Sequence, residues 1–306
     1  MTIRRRDFFT HSVGAALSTA AVVPSAAKAS RVVERRGGTR LKVGLNAYSF
    51  NSELRSGRMT MDDVIDFCAE HEIDGVDMTG YYFPGYPEVA SDEVIFNLKR
   101  KAFLNGVTIT GTGVRNDFAL TDTSSRKGQI QLVKDWVEVA AKLGSDVLRV
   151  FSGRQVASGS TFEKTLEWMV PAFQECAEYG KDHGVMIGMQ HHDDFLKTAD
   201  ETIRLVEEVD SEWFNVILDV GSLRVHDVYE EIEKLVPYAS TWQVKEEVWY
   251  GEKAVPIDLP RLKAIIDKTE YRGFLPFEAL GRDPDVAARR RTVANFLTRV
   301  KDVFFA

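Results

Sequence analysis

The sequence predicts a single α/β domain folded as a closed (β/α)8 TIM barrel, and three observations carry that prediction. Short apolar runs alternate with helical patterns from Leu41 to the C-terminus, eight of each. Eight such units in about 265 residues match the usual size of a closed barrel. Four later runs end on metal-capable polar side chains: Gln190 in VMIGMQHH, Asp219 in FNVILDVGS, Gln243 in STWQVKEE and Glu278 in GFLPFEAL. Barrels of this class keep their chemistry where strands exit, so polar residues recurring there point to an enzyme.

Residues 1–29 read as an address. Arg5-Arg6-Asp7-Phe8-Phe9 follows a twin-arginine pattern, a weakly apolar stretch runs from Val13 to Val23, and Ala27-Lys28-Ala29 offers a cleavage site. The expected product is a periplasmic or otherwise extracytoplasmic protein, with the twin-arginine translocon as a transient partner. The apolar stretch is too short to span a bilayer, and no cysteine beside the cleavage site invites a lipid. A stable membrane anchor after cleavage is therefore not expected. Residues 30–40, SRVVERRGGTR, read as a linker, and 41–306 as the barrel.

The barrel elements follow in order. LKVGLNAYSF is the first strand, and Thr60 to His71 is a helix opened by a capping-box-like start. GVDMT, VTITGTGV and DVLRVFSG are the next three strands, with helices over 92–105 and 124–143 between them. Helices over 161–183, 198–209, 227–236, 258–268 and 284–303 accompany the four strands with polar ends. A doubly wound dinucleotide fold needs a Gly-rich turn after its first strand, and that place holds Asn46-Ala47-Tyr48-Ser49.

The 306 residues are 44% apolar and 28% charged, enough for a sizeable core. The net charge is −7, and removal of the leader would leave the remainder more acidic still. An acidic body argues against a nucleic-acid partner, because phosphate binding is driven by clustered Lys and Arg. Cys68 and Cys176 both fall in helical patterns and are expected as unpaired buried thiols.

Residues two apart share a strand face, so Gln190 with His192, and Gln243 with Lys245, point into one mouth together. The candidate cluster is Gln190, His192, Asp219, Gln243, Lys245 and Glu278. Carboxylate and amide oxygens are hard donors suited to an ion such as Mg²⁺ or Mn²⁺. The glutamines serve either as ligands or as hydrogen bonders behind them. His191 faces the other way and reads as structural. Arg149 is either a substrate clamp or a barrel-wall ion pair. Tyr48, Phe50, Tyr81, Tyr82, Trp249 and Tyr250 follow strands and supply flat rings for a carbohydrate-like substrate, with Tyr48 and Trp249 the leading candidates.

These segments resemble the xylose isomerase-like TIM-barrel superfamily, which includes sugar phosphate isomerases and epimerases. The resemblance spans nearly the whole mature chain and is strongest from Val185 to Leu280. It implies a Glu, an Asp, a His and a Glu on strands five to eight as ligands of one divalent ion, Mn, Mg, Co or Zn. Asp219 matches the Asp and Glu278 the final Glu, while Gln190 stands for the first Glu and Gln243 for the His. Ser222 stands where the family often has a further His. In the family's ketose 3-epimerases the two ligand glutamates also exchange protons, which an amide cannot do. Dehydroshikimate dehydratase-like members resemble the arrangement with Gln, and use a His at the place of His192.

The expected activity is therefore metal-dependent isomerisation or epimerisation of a sugar, keto-sugar or related polyhydroxy compound, by proton transfer alpha to a carbonyl. Glu278, His192 and Lys245 are the expected catalytic residues, and Arg149, Tyr48 and Trp249 the substrate contacts. Alternatives are a lyase of the same fold, acting on a 3-keto-glycoside or a cyclic keto acid, and a non-catalytic carbohydrate-binding barrel.

Overall fold

A computed structural model describes residues 32–192 and 195–306. The signal-peptide expectation for 1–29 lies outside the described residues. Eight parallel strands close into a barrel: β1 (Arg40–Asn46), β2 (Gly75–Thr79), β3 (Thr108–Gly113), β4 (Val147–Phe151), β5 (Met186–Gln190), β6 (Phe214–Asp219), β7 (Ala239–Lys245) and β10 (Arg272–Glu278). β10 pairs with both β7 and β1, so no barrel strand is left as an edge. Between β7 and the next helix the chain adds an antiparallel hairpin, β8 (Glu247–Tyr250) and β9 (Lys253–Pro256).

The helices are α1 (Asn51–Arg55), α2 (Met61–Glu70), α3 (Asp92–Leu104), α4 (Thr123–Leu143), α5 (Phe162–Asp182), α6 (Ala199–Val209), α7 (Val228–Leu235), α8 (Leu259–Lys268) and α9 (Val286–Phe304). All but the short α1 were expected. Their starts follow from local chemistry. Thr60 and Asp63 form a reciprocal capping box at α2, as do Thr198 and Glu201 at α6. α4 ends where Gly144 takes the left-handed conformation that stops a helix at little steric cost.

Strands covered on both sides should read as continuous apolar runs. β6 does so, with all six residues buried, and its one charge, Asp219, falls at its exit. Register then decides which strand-end residues are neighbours. Asp219 lies level with Gln243, Glu278 with Lys245, and Phe151 with Gln190. Cys68 and Cys176 are both buried and unpaired.

The described part of the expected linker is docked against the barrel. Val33 N–H donates to the Pro237 carbonyl at 2.7 Å, and Arg35 donates to the carbonyls of Arg272 (3.0 Å) and Ala239 (2.6 Å) while lying over the Tyr271 ring. These contacts tie the segment to the N-terminal ends of β7 and β10. At the opposite end, the buried Arg289 on α9 donates to the carbonyls of Ser49, Ala279 and Leu280. It joins the exits of β1 and β10, the latter directly after Glu278. The sequence showed only an Arg-Arg-Arg stretch here; burial sets Arg289 apart, whereas Arg290 is half-buried and ion-paired with Glu70.

Candidate active site

The strand exits open into a cavity of about 580 Å³. Gln190, His192, Gln243, Lys245 and Glu278 all line it, and the two pairs related by alternation, Gln190 with His192 and Gln243 with Lys245, share that face. Asp219 does not line it. This carboxylate is fully buried behind Gln190 and Lys245.

Hydrogen bonds fix the arrangement. Asp219 Oδ2 accepts from Gln190 Nε2 (2.6 Å), Ser222 Oγ (2.6 Å) and Lys245 Nζ (2.7 Å), and Oδ1 accepts from Gly221 N–H (3.0 Å). Lys245 Nζ also stands 3.7 Å from Glu278 Oε1, and Gln243 Nε2 donates to Glu278 Oε2. Gln190 Oε1 turns the other way and accepts from Arg149 Nη1 at 3.4 Å. An amide with a cation on one side and a carboxylate on the other has its oxygen and nitrogen sorted by charge.

The two carboxyls are driven apart. Burial raises Glu278 to about 7, assisted by Asp219 and opposed by Lys245 and Arg149. Burial works on Asp219 in the same sense, but Lys245, then His192 and His191, outweigh it and hold Asp219 down at about 2. His191 is pushed down to about 4 by burial and is neutral near pH 7; its Nε2 accepts the Asp219 N–H at 3.1 Å. It is a support for the Asp219 backbone, as its position on the far face implied.

Arg149 makes the barrel-wall ion pair and also reaches the cavity. It lines the cavity, and its Nε lies 3.6 Å from Asp77 Oδ2 across the barrel. Its Nη1 donates to the Tyr81 hydroxyl at 3.1 Å and its Nη2 to Thr79 Oγ1 at 3.4 Å. Burial works against its charge, and Tyr81 and Asp77 more than compensate. Gly113 makes room for it, since a Cβ there would stand 2.8–2.9 Å from the Arg149 side chain.

Tyr48, Tyr81 and Phe151 give the cavity its aromatic surface. The expectation for Trp249 is corrected. It belongs to the β8–β9 hairpin, lies under the Arg224 guanidinium at 4.1 Å and does not line the cavity. The residues just after Lys245 enter this hairpin and do not line the cavity. The hairpin's signal was an aromatic and β-branched alternation around Gly251, which has a positive φ. Phe50 is core. Arg115, Asn116 and Asp117 after β3, and Arg154 after β4, line the cavity without having been singled out. The charged run Arg-Asn-Asp directly after a strand was the available signal.

The donor set does not suit the divalent ion that the resemblance implies. Asp219 accepts four hydrogen bonds from protein donors, three of them crowded on Oδ2. Both glutamines turn amide nitrogen, a donor and not a ligand, toward the carboxylates. An ammonium already lies between Asp219 and Glu278. Among the described residues no three His, Cys, Asp or Glu side chains form a metal-binding group. In this arrangement Gln190, Asp219, Gln243 and Glu278, the expected ligand set, spend their polar atoms largely on one another and on Lys245.

No curated protein matches the chain. Among solved structures, D-psicose 3-epimerase from Clostridium cellulolyticum H10 superposes with a TM-score of 0.70 at 20% identity, covering 86% of this chain and 99% of that one. The IOLI protein with a bound zinc atom gives 0.69 at 14% identity, covering 87% and 100%. A probable 3-DHS dehydratase from Bacillus anthracis gives 0.61 at 17% identity, covering 84% and 98%. At these identities the likeness is one of fold. The sequence profile of the xylose isomerase-like TIM barrel matches residues 65–299, and the chain belongs to that family.

Proposed function

We propose that the chain is an isomerase or epimerase acting on a sugar, keto-sugar or related polyhydroxy carbonyl compound by proton transfer alpha to the carbonyl. The observation that carries this reading is Glu278, a buried carboxyl at the cavity whose pKa of about 7 suits it to take and return a proton at neutral pH. Lys245 beside it offers a fixed positive donor to the oxygen that becomes enolate-like. Tyr48, Tyr81 and Phe151 provide ring faces for the apolar side of a sugar, and Arg149 a donor for its hydroxyls. The epimerase among the structural neighbours supports the class.

Asp219, held at about 2, does not carry protons near neutrality, which leaves Glu278 as the working carboxyl of the pair. A single carboxyl serves return of the proton on one face. It also serves elimination when a β-leaving group departs, and for that reason a lyase is the second reading. Inversion of a centre needs a proton carrier on the opposite face, a role for His192 at the cavity wall.

The test is incubation of keto-sugars, 3-keto-glycosides and cyclic keto acids in D₂O, read by NMR. Solvent deuterium at the carbon alpha to the carbonyl is expected, with loss of an aglycone or water marking elimination. A panel that returns neither deuterium nor product sinks the proton-transfer reading and favours a carbohydrate-binding barrel.

Export belongs to the same proposal, resting on Arg5-Arg6-Asp7-Phe8-Phe9 and Ala27-Lys28-Ala29. The double substitution Arg5→Lys, Arg6→Lys is expected to retain the protein in the cytoplasm. Equal periplasmic yields of variant and wild type on fractionation would remove the twin-arginine assignment.

A further inference from the structure

We propose that Lys245 is the built-in cation of this site, standing where a divalent ion would otherwise be needed, so that the chain works without one. The inference rests on the proton-transfer reading for its chemistry, and on geometry alone for its metal independence.

Four observations converge. The Lys245 ammonium bridges Asp219 at 2.7 Å and Glu278 at 3.7 Å, and only 7% of the residue is exposed although it lines the cavity. Its stem runs through a space kept open by Gly221, where a Cβ would stand 2.5 Å from Lys245 Cδ and 3.1 Å from its Cβ. Gly221 also donates its N–H to Asp219 Oδ1, so one residue both holds the counter-charge and clears the path of the lysine. Finally, the two neutral amides match the smaller cation. Two carboxylates with one ammonium leave at most one negative charge. A carboxylate at 190 and a neutral His at 243, the residues the resemblance implies there, would leave two, a set that calls for a divalent ion.

The chemical consequence is a single positive charge fixed by the fold. An ammonium donates hydrogen bonds to a developing oxyanion and needs no loading step. It cannot bind two substrate oxygens as coordinate ligands, so the geometry favours a substrate polarised at one oxygen, with its remaining hydroxyls met by protein donors such as Arg149.

The deciding measurement is Mn²⁺ binding, followed by the electron paramagnetic resonance of the free ion, on wild type and Lys245→Met. Wild type is expected to take up less than about a tenth of an equivalent, and Lys245→Met, with an Asp219 lone pair freed, to bind at least about tenfold more tightly. Near-stoichiometric binding by wild type overturns the proposal, as does Lys245→Met binding no more tightly than wild type. Lys245→Arg, which keeps the charge, is expected to exclude Mn²⁺ as wild type does. The wild-type arm stands even if the Met variant fails to fold. The titration needs no substrate, so it decides on Lys245 even where the exchange panel returns no deuterium. Where exchange is seen, it should be unchanged by EDTA; exchange that vanishes with EDTA and returns with Mn²⁺ also overturns the proposal.

Discussion

Glu278→Gln is expected to lower turnover by roughly 10³-fold while leaving the barrel folded, which is the scale of losing a positioned general base. The amide keeps the size of the carboxyl and can still bond to Gln243, but it has no proton to exchange. Stability should move in the opposite direction from activity. Burial raises Glu278 from 4.5 to about 7, so the folded state holds this proton more tightly than the unfolded state does. Its favourable contribution is complete below pH 4.5 and is lost as pH rises through about 7, a difference on the order of 3 kcal/mol. Thermal unfolding of the Gln variant should therefore match or exceed that of wild type at pH 8, with a flatter pH dependence between pH 5 and 8 (about 2–4 °C per kcal/mol for a chain this long). Wild-type turnover should rise through about pH 7 as the carboxylate forms. Near-full activity in Glu278→Gln, measured by deuterium wash-in, removes Glu278 from proton transfer.

The sequence carried the barrel because each strand is a covered apolar run and each helix start is marked by its own cap, Thr60 and Thr198 being clear cases. Period-two alternation carried the site as well, placing His192 with Gln190 and Lys245 with Gln243. What it could not carry was the direction in which polar groups spend their hydrogen bonds. An aspartate at a strand exit reads the same whether it faces an ion or is held by Ser222, Gly221, Gln190 and Lys245. That difference depends on four residues from three strand exits and on the missing Cβ of Gly221, none of them periodic in sequence. Trp249 misled for a related reason, since a strand-end aromatic points at the mouth only if the chain does not fold back on itself at Gly251.

Asp219→Asn should shift the pH dependence of turnover and cost stability together. In wild type Lys245 is shared, closer to Asp219 at 2.7 Å than to Glu278 at 3.7 Å. Neutralising Asp219 leaves Glu278 as the carboxylate partner of the ammonium and removes a negative charge that raises the Glu278 pKa. The groups that then act on Glu278 are Lys245 from β7, Arg149 from β4, the Gln243 amide and Tyr82 after β2. Both changes favour the carboxylate, so the rising limb should move below pH 7 by at least about one unit. A base with a lower pKa is also a weaker one, and the plateau rate should fall by about tenfold or more. Asp219 itself is held at about 2, so its stabilising contribution is present above 3.8 and lost as pH falls through about 2. Breaking a buried pair of this kind costs about 3 kcal/mol or more, which thermal unfolding at pH 7 should register as a fall of roughly 6–12 °C. An unshifted rising limb in Asp219→Asn would mean that Lys245 does not couple the two carboxyls. Glu278 would then owe its elevated pKa to burial alone.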